Sequence, residues 1–259
     1  MKRFVTTLTL ALGFAAVAAT AQAQQEGSLT VFYSPAGSSL EVPALTGPVP
    51  SSNGTEFKFT NDAHYGGVFG DVLLVGRVGV AGYYKFGKAD DIPGGAVFTP
   101  EGMPGPQFNP TTGEKARLLD ASGTFALIKT GSARLDATAG YFYLYAKPEI
   151  SKANSYGGPS LGFRTKYVFA NGLDVHGNLS IVPTFFVHGN VEKSLEDDSV
   201  VQYRIGADYG ITDNLGVSAG FDGFKLTGHA KQPNPLIQYF GDSAAVTLSG
   251  FYFGGQVKW

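Results

Sequence analysis

Cysteine is absent from the 259 residues, so neither a disulfide framework nor a thiolate metal site is open to this chain. Charged residues are scarce at 15%, and basic residues are outnumbered, 19 Lys and Arg against 21 Asp and Glu. A chain without a basic excess has no electrostatic footprint for nucleic acid, which is not expected as a partner. Four scattered histidines supply no metal-ligand spacing. Long apolar runs are missing too. After residue 23 none approaches the roughly 20 residues that a membrane-spanning helix needs. The one glycine pattern that resembles a dinucleotide loop, Gly76-x-x-Gly79-x-x-Gly82, lies inside an alternating segment rather than at a strand-to-helix turn, so no cofactor is assigned.

What the chain does have begins with Lys2 and Arg3, an apolar stretch from Phe4 to Ala19, and small residues at Ala21-Gln22-Ala23. This is the pattern of a secretory signal peptide, and 1–23 is expected to be removed, leaving 24–259 as one domain. Loss of Lys2 and Arg3 would take the formal charge from −2 to roughly −4.

Glycine (36), phenylalanine (20) and tyrosine (13) dominate the remainder. Their arrangement has a period of two. In 199–211, Val201, Tyr203, Ile205, Ala207 and Tyr209 share one face, and Gln202, Arg204, Gly206 and Asp208 share the other. The same division runs through 133–146, 156–169 and 172–187, and less clearly through 71–86, 115–129 and 215–229. Short links at Phe69-Gly70, Thr130–Ser132, Ala170–Gly172 and Thr212–Asn214 alternate with longer polar ones at 87–114, 147–155, 188–198 and 230–242. Short and long connections in strict alternation are expected of a transmembrane barrel, with short periplasmic turns and longer external loops. A soluble sandwich has no reason to impose them. With the chain end in the periplasm, Tyr83, Tyr84, Tyr143, Tyr145 and Phe185 would form an outer aromatic rim, and Tyr167, Phe169, Tyr209 and Trp259 an inner one.

The last strand carries the most specific pattern: Phe251, Phe253, Val257 and Trp259 alternate with Tyr252, Gly254, Gln256 and Lys258 and end on an aromatic residue. It resembles the terminal strand of small bacterial outer-membrane β-barrel proteins. That resemblance implies an all-β transmembrane antiparallel up-and-down barrel in the outer membrane of a double-membraned bacterium. It implies lipid as the surroundings, and the barrel assembly machinery as the partner that reads Phe251, Phe253, Val257 and Trp259 as an insertion signal.

Ten strands are expected, with 28–35 as the first, 36–53 as a loop, and Lys58, Thr60, Asp62 and His64 on the polar face of the second. Ten keeps the count even and both termini periplasmic. The alternative is eight strands with an N-terminal extension. On this pattern the interior collects Lys58, Arg77, Arg134, Arg164, Lys166, Arg204 and Lys258, together with Asp62, Asp120, Asp136, Asp174, Asp208, Asp222 and His176. Turn length then fixes register, because opposed residues of a hairpin have a constant sum. Arg204 is expected to face Asp222, and Asp62 to face Arg77.

The near balance of interior charge favours a filled or narrow lumen over a selective pore. The expected role is structural, stabilising the envelope or displaying external loops, and loop 87–114 is a candidate surface for an external partner. A narrow, weakly selective, porin-like diffusion channel is the alternative. An outer-membrane hydrolase comes third, resting on Asp90, Asp91, Asp197, Asp198, His188 and His229, whose spacing fixes no constellation. No catalytic residue is therefore assigned.

Overall fold

Strand-forming alternation is interrupted only where the backbone has a local reason to turn. In the computed structural model the described residues are 26–42, 57–89, 96–98, 104–107, 115–147, 154–183, 186–188, 195–230 and 243–259. The strands are β1 (Gly27–Val42), β2 (Phe57–Val75), β3 (Val78–Ala89), β4 (Ala96–Phe98), β5 (Pro104–Gln107), β6 (Lys115–Lys129), β7 (Ala133–Lys147), β8 (Asn154–Val168), β9 (Leu173–Val182), β10 (Phe186–His188), β11 (Leu195–Gly210), β12 (Leu215–Ala230) and β13 (Ser243–Lys258). The described residues contain no helix.

Ten long strands form one antiparallel sheet in the order β8-β7-β6-β3-β2-β1-β13-β12-β11-β9. The sheet closes on itself through β8–β9, with Leu161 opposite Ile181 and Val168 opposite Asp174. Closure satisfies every strand edge, the condition for crossing a bilayer with strands. The first strand completes the wall beside the last, pairing Ser28 with Lys258, and the Gly27 N–H donates to the Trp259 carbonyl. Eight strands with a free extension are ruled out. Pro183 stands where β9 stops. A proline has no N–H to give a ladder, and the short β10 beyond it pairs with β8. Strands β4 and β5 form a separate small hairpin inside the 87–114 connection.

Short connections gather at one end. At 211–214 the Thr212 hydroxyl accepts from the Leu215 N–H and the Asn214 amide donates to the Lys258 carbonyl. At Gly76-Arg77 a two-residue loop has φ +56° at Gly76, a conformation that glycine enters at little cost.

That loop corrects the expected turn at Phe69-Gly70. Both residues lie in mid-strand, where a Cβ on Gly70 would run into the Ser28 carbonyl oxygen of β1. The register moves accordingly: Asp62 opposes Gly37 rather than Arg77, and Arg77 is an exposed turn residue outside the lumen. In β2 the inward positions are odd-numbered, among them Ala63, Tyr65, Phe69 and Leu73, all buried. Lys58 and Asp62 share the parity of His64, which is exposed and hydrogen-bonded to the Tyr33 hydroxyl at 2.8 Å; their own side chains lie outside the described residues. Tyr83, expected at the outer rim, is buried inside the barrel.

Outward positions carry an apolar belt. Leu161, Phe163, Leu179, Ile205, Phe251 and Phe253 are each 48–63% exposed. In water that surface would cost tens of kcal/mol at about 25 cal/mol per Å², and against hydrocarbon it costs nothing. Inward positions fall into three layers. Charged and polar side chains fill the turn end, an aromatic and charged layer crosses the middle, and apolar residues including Leu118, Phe142, Leu144, Val200, Phe224 and Leu248 pack the loop end.

Candidate functional site

The middle layer decides whether anything passes. Asp222 of β12 is 2% exposed and accepts from Lys85 Nζ at 2.9 Å and from the Tyr83 hydroxyl at 2.6 Å. Both donors belong to β3, which is separated from β12 by β2, β1 and β13. These contacts therefore reach across the lumen, not along the wall. The Arg204 guanidinium lies 4.0 Å from the ring centre of Phe69 and 4.2 Å from that of Tyr83. A desolvated cation between two rings gains about 2 kcal/mol or more. Phe69 also meets His176, from a strand five places round a ten-stranded wall, with ring centres 5.7 Å apart. Tyr252 and Phe32 complete the cluster, Tyr252 edge-on to both Phe32 (5.6 Å) and Phe69 (5.5 Å).

Below it, towards the turns, His176 links Asp208 (Nδ1 to Oδ2, 3.2 Å) to the Tyr252 hydroxyl (Nε2, 2.8 Å), and Gln256 Nε2 donates to the same Asp208 oxygen at 2.7 Å. Asp71 holds Arg134 at 3.0 Å and Arg164 at 3.3 Å, and Arg134 also grips Asp136 at 2.8 Å. Asp174 takes Lys258 at 2.7 Å and Lys166 at 3.2 Å. Asp120 accepts from the Ser160 hydroxyl at 3.3 Å.

Of the residues assigned to the interior from sequence, Asp120, Asp136, Asp174, Arg204, Asp208 and Asp222 are buried there, and Arg134, Arg164, Lys166, His176 and Lys258 are partly buried in the same network. Arg204 opposes Asp222 in the β11–β12 ladder, as turn length required. The side chains nevertheless part company: Asp222 bonds to Lys85 and Tyr83, and Arg204 takes the aromatic slot. Sequence reasoning missed Lys85, Asp71 and the inward rings of Phe32, Phe69 and Tyr83. Adjacent Tyr83 and Tyr84 blur the alternation there, and Asp71 stood next to the misplaced turn. Beneath Arg204 a cavity of about 40 Å³ is lined by Ser28, Asp71, Arg134, Arg164, Asp208 and Gln256, among others. Of the hydrolase candidates, Asp90 and Asp91 lie outside the described residues, as do the side chains of Asp197, Asp198, His188 and His229.

No family model matches the chain, and no curated protein matches it. Among solved structures it is similar to the outer membrane protease OmpT from Escherichia coli, at 11% identity and a TM-score of 0.51, over 90% of this chain and 96% of that one. The chain has the fold of the bacterial outer-membrane β-barrels. Ail of Yersinia pestis (10% identity, 90% and 99% covered, TM-score 0.31) and OprG of Pseudomonas aeruginosa (11%, 89% and 96%, 0.28) resemble it more loosely. At these identities the likeness is one of fold, and chemistry has to be argued from this chain's own residues.

Proposed function

We propose that this protein is an outer-membrane barrel with a closed lumen, serving as a structural element that stabilises the envelope and presents its long connections outside. The observation that carries this reading is the middle layer, where Lys85–Asp222, Arg204–Phe69 and Phe69–His176 contacts join strands from opposite sides of the wall. A water-filled pore needs a continuous gap at every level, and these contacts stand across the lumen at theirs, which supports a closed reading. Toward the turns Asp71 and Asp174 likewise take their cations from other strands, Arg134 and Arg164 for the first and Lys166 and Lys258 for the second. Such pairs fix register and exclude alternatives more than they add net stability.

On this reading residues 1–23 direct export, both termini lie in the periplasm, and the strand ending at Trp259 is recognised by the assembly machinery. Lipid is the medium around the belt, and the 87–114 connection is the surface offered to an external partner. No hydrolytic role is proposed, because no acid, base and nucleophile meet at a place a substrate reaches among the described residues. Solute flux into proteoliposomes tests the reading: vesicles containing folded protein should retain a small sugar as well as protein-free vesicles do, and release within the time a porin needs would overturn it.

A further inference from the structure

The cavity beneath Arg204 holds polar atoms that the fold leaves unsatisfied. Arg204, 7% exposed, has a buried Nε without a partner, and Arg164 Nη1 is likewise unpartnered. Opposite in character, Gln256 Oε1 is a buried acceptor without a donor, and Asp208 Oδ1 has none closer than the neighbouring Ser218 hydroxyl. All four residues line the same cavity. Leaving such groups unmade is costly, so a native site of this kind is completed by ordered water or by a bound solute that supplies the same hydrogen bonds.

The inventory narrows what fits. Two guanidinium N–H groups call for acceptor oxygens, and the strength and geometry of guanidinium binding favour an oxyanion. The two acceptors call for O–H donors on the same molecule. Four cations line the cavity, Arg134, Arg164, Lys166 and Arg204, against three carboxylates, Asp71, Asp136 and Asp208, with His176 beside them. A volume of about 40 Å³ admits roughly three waters, the space of one tetrahedral oxyanion.

We infer that this cavity binds a protonated oxyanion, inorganic phosphate in its monoanionic form, through Arg164 and Arg204, and selects it by the acceptors Asp208 and Gln256. Sulfate has the same shape but no O–H at mildly acidic pH, so it would press its oxygens against both acceptors and be refused. The inference does not depend on whether the lumen conducts.

The test is equilibrium dialysis of the folded full chain in detergent micelles against labelled inorganic phosphate, at a mildly acidic pH where the monoanion predominates, with sulfate as competitor. One saturable site per chain that equimolar sulfate does not displace is the expected result. Arg164→Gln should weaken phosphate binding about tenfold or more, the size of one charge-assisted hydrogen bond. Arg164→Lys, which keeps the charge and loses the fork, covers the case in which the glutamine variant does not fold. Asp208→Asn, whose amide can donate, should let sulfate compete, a change that a merely structural aspartate would not produce. No saturable uptake would mean that water alone fills the cavity. Equal displacement by sulfate, or binding undiminished in a folded Arg164 variant, would overturn the inference as well.

Discussion

Replacing Asp222 by Asn removes one charge from the centre of the barrel and changes almost no volume. Lys85, 2% exposed, would keep its ammonium in a dry site, and the Tyr83 hydroxyl would lose its carboxylate acceptor. Breaking a buried pair from one side costs about 3–5 kcal/mol, and because both side chains are fully enclosed no allowance for solvent screening applies. That is roughly two to four powers of ten in the unfolding equilibrium. Lys85→Met should cost a similar amount, since it strands the carboxylate instead. The double variant Lys85→Met with Asp222→Leu should recover most of the loss, because an apolar pair of similar volume replaces an ion pair at little net cost. Urea unfolding of the folded barrel in lipid vesicles, followed by tryptophan fluorescence from Trp259, measures the native chain and the three variants. A mild Lys85→Met beside a severe Arg204→Met would refute the reasoning. It would mean that Asp222 is held by its ladder neighbour Arg204, and that the contact across the lumen is not made.

The outer face offers a second check. Arg at Ile205, 62% exposed, or at Leu179, 48% exposed, should destabilise the inserted barrel by about 2–4 kcal/mol near the bilayer midplane; wild-type stability in both would invert the two faces. At the seam between first and last strands, a Cβ on Gly27 would come within 2.5 Å of the Trp259 ring, so Gly27→Leu should displace the terminal tryptophan and slow assembly into membranes relative to Gly76→Ala, which changes a turn elsewhere; equal assembly rates would disconnect Trp259 from insertion. For orientation, protease added to intact cells should cleave within 87–114 or 230–242 and spare 212–214, and cleavage confined to 212–214 would reverse the assignment of the ends.

The barrel could be read from sequence wherever turn chemistry is local and side chains alternate cleanly. Thr212, Asp213 and Asn214 announce a turn by their own hydrogen-bonding groups, so the β11–β12 register and the facing of Arg204 and Asp222 followed from counting. Gly76-Arg77 announces nothing comparable, because Val72 to Val75 and Val78 to Val80 read as one strand through it. The glycine at 70 looks like a turn residue but is small for a different reason, the close approach of β1. Misplacing that one loop hid Asp71 and put Arg77 inside. The rule that apolar faces point outward also loses force within a lumen narrow enough to be packed. Phe32, Phe69, Tyr83 and the loop-end residues Phe142, Leu144 and Leu248 are apolar and inward because a filled interior behaves as a protein core. Which carboxylate meets which cation across the lumen depends on strand tilt and closure, which adjacent-strand arithmetic does not contain. Lys85–Asp222 and Arg164–Asp71 were therefore out of its reach.

Single-channel recording on the purified barrel in a planar bilayer tests the closed lumen most directly, comparing the native chain with Phe69→Ala/Arg204→Ala. Removing the ring and the guanidinium opens only part of the central crossing, because Lys85–Asp222 and the apolar loop end stay in place, so the native protein should stay silent and the variant should add no more than brief openings. A reproducible unit current through the native protein, unchanged in the variant, would contradict the closed lumen.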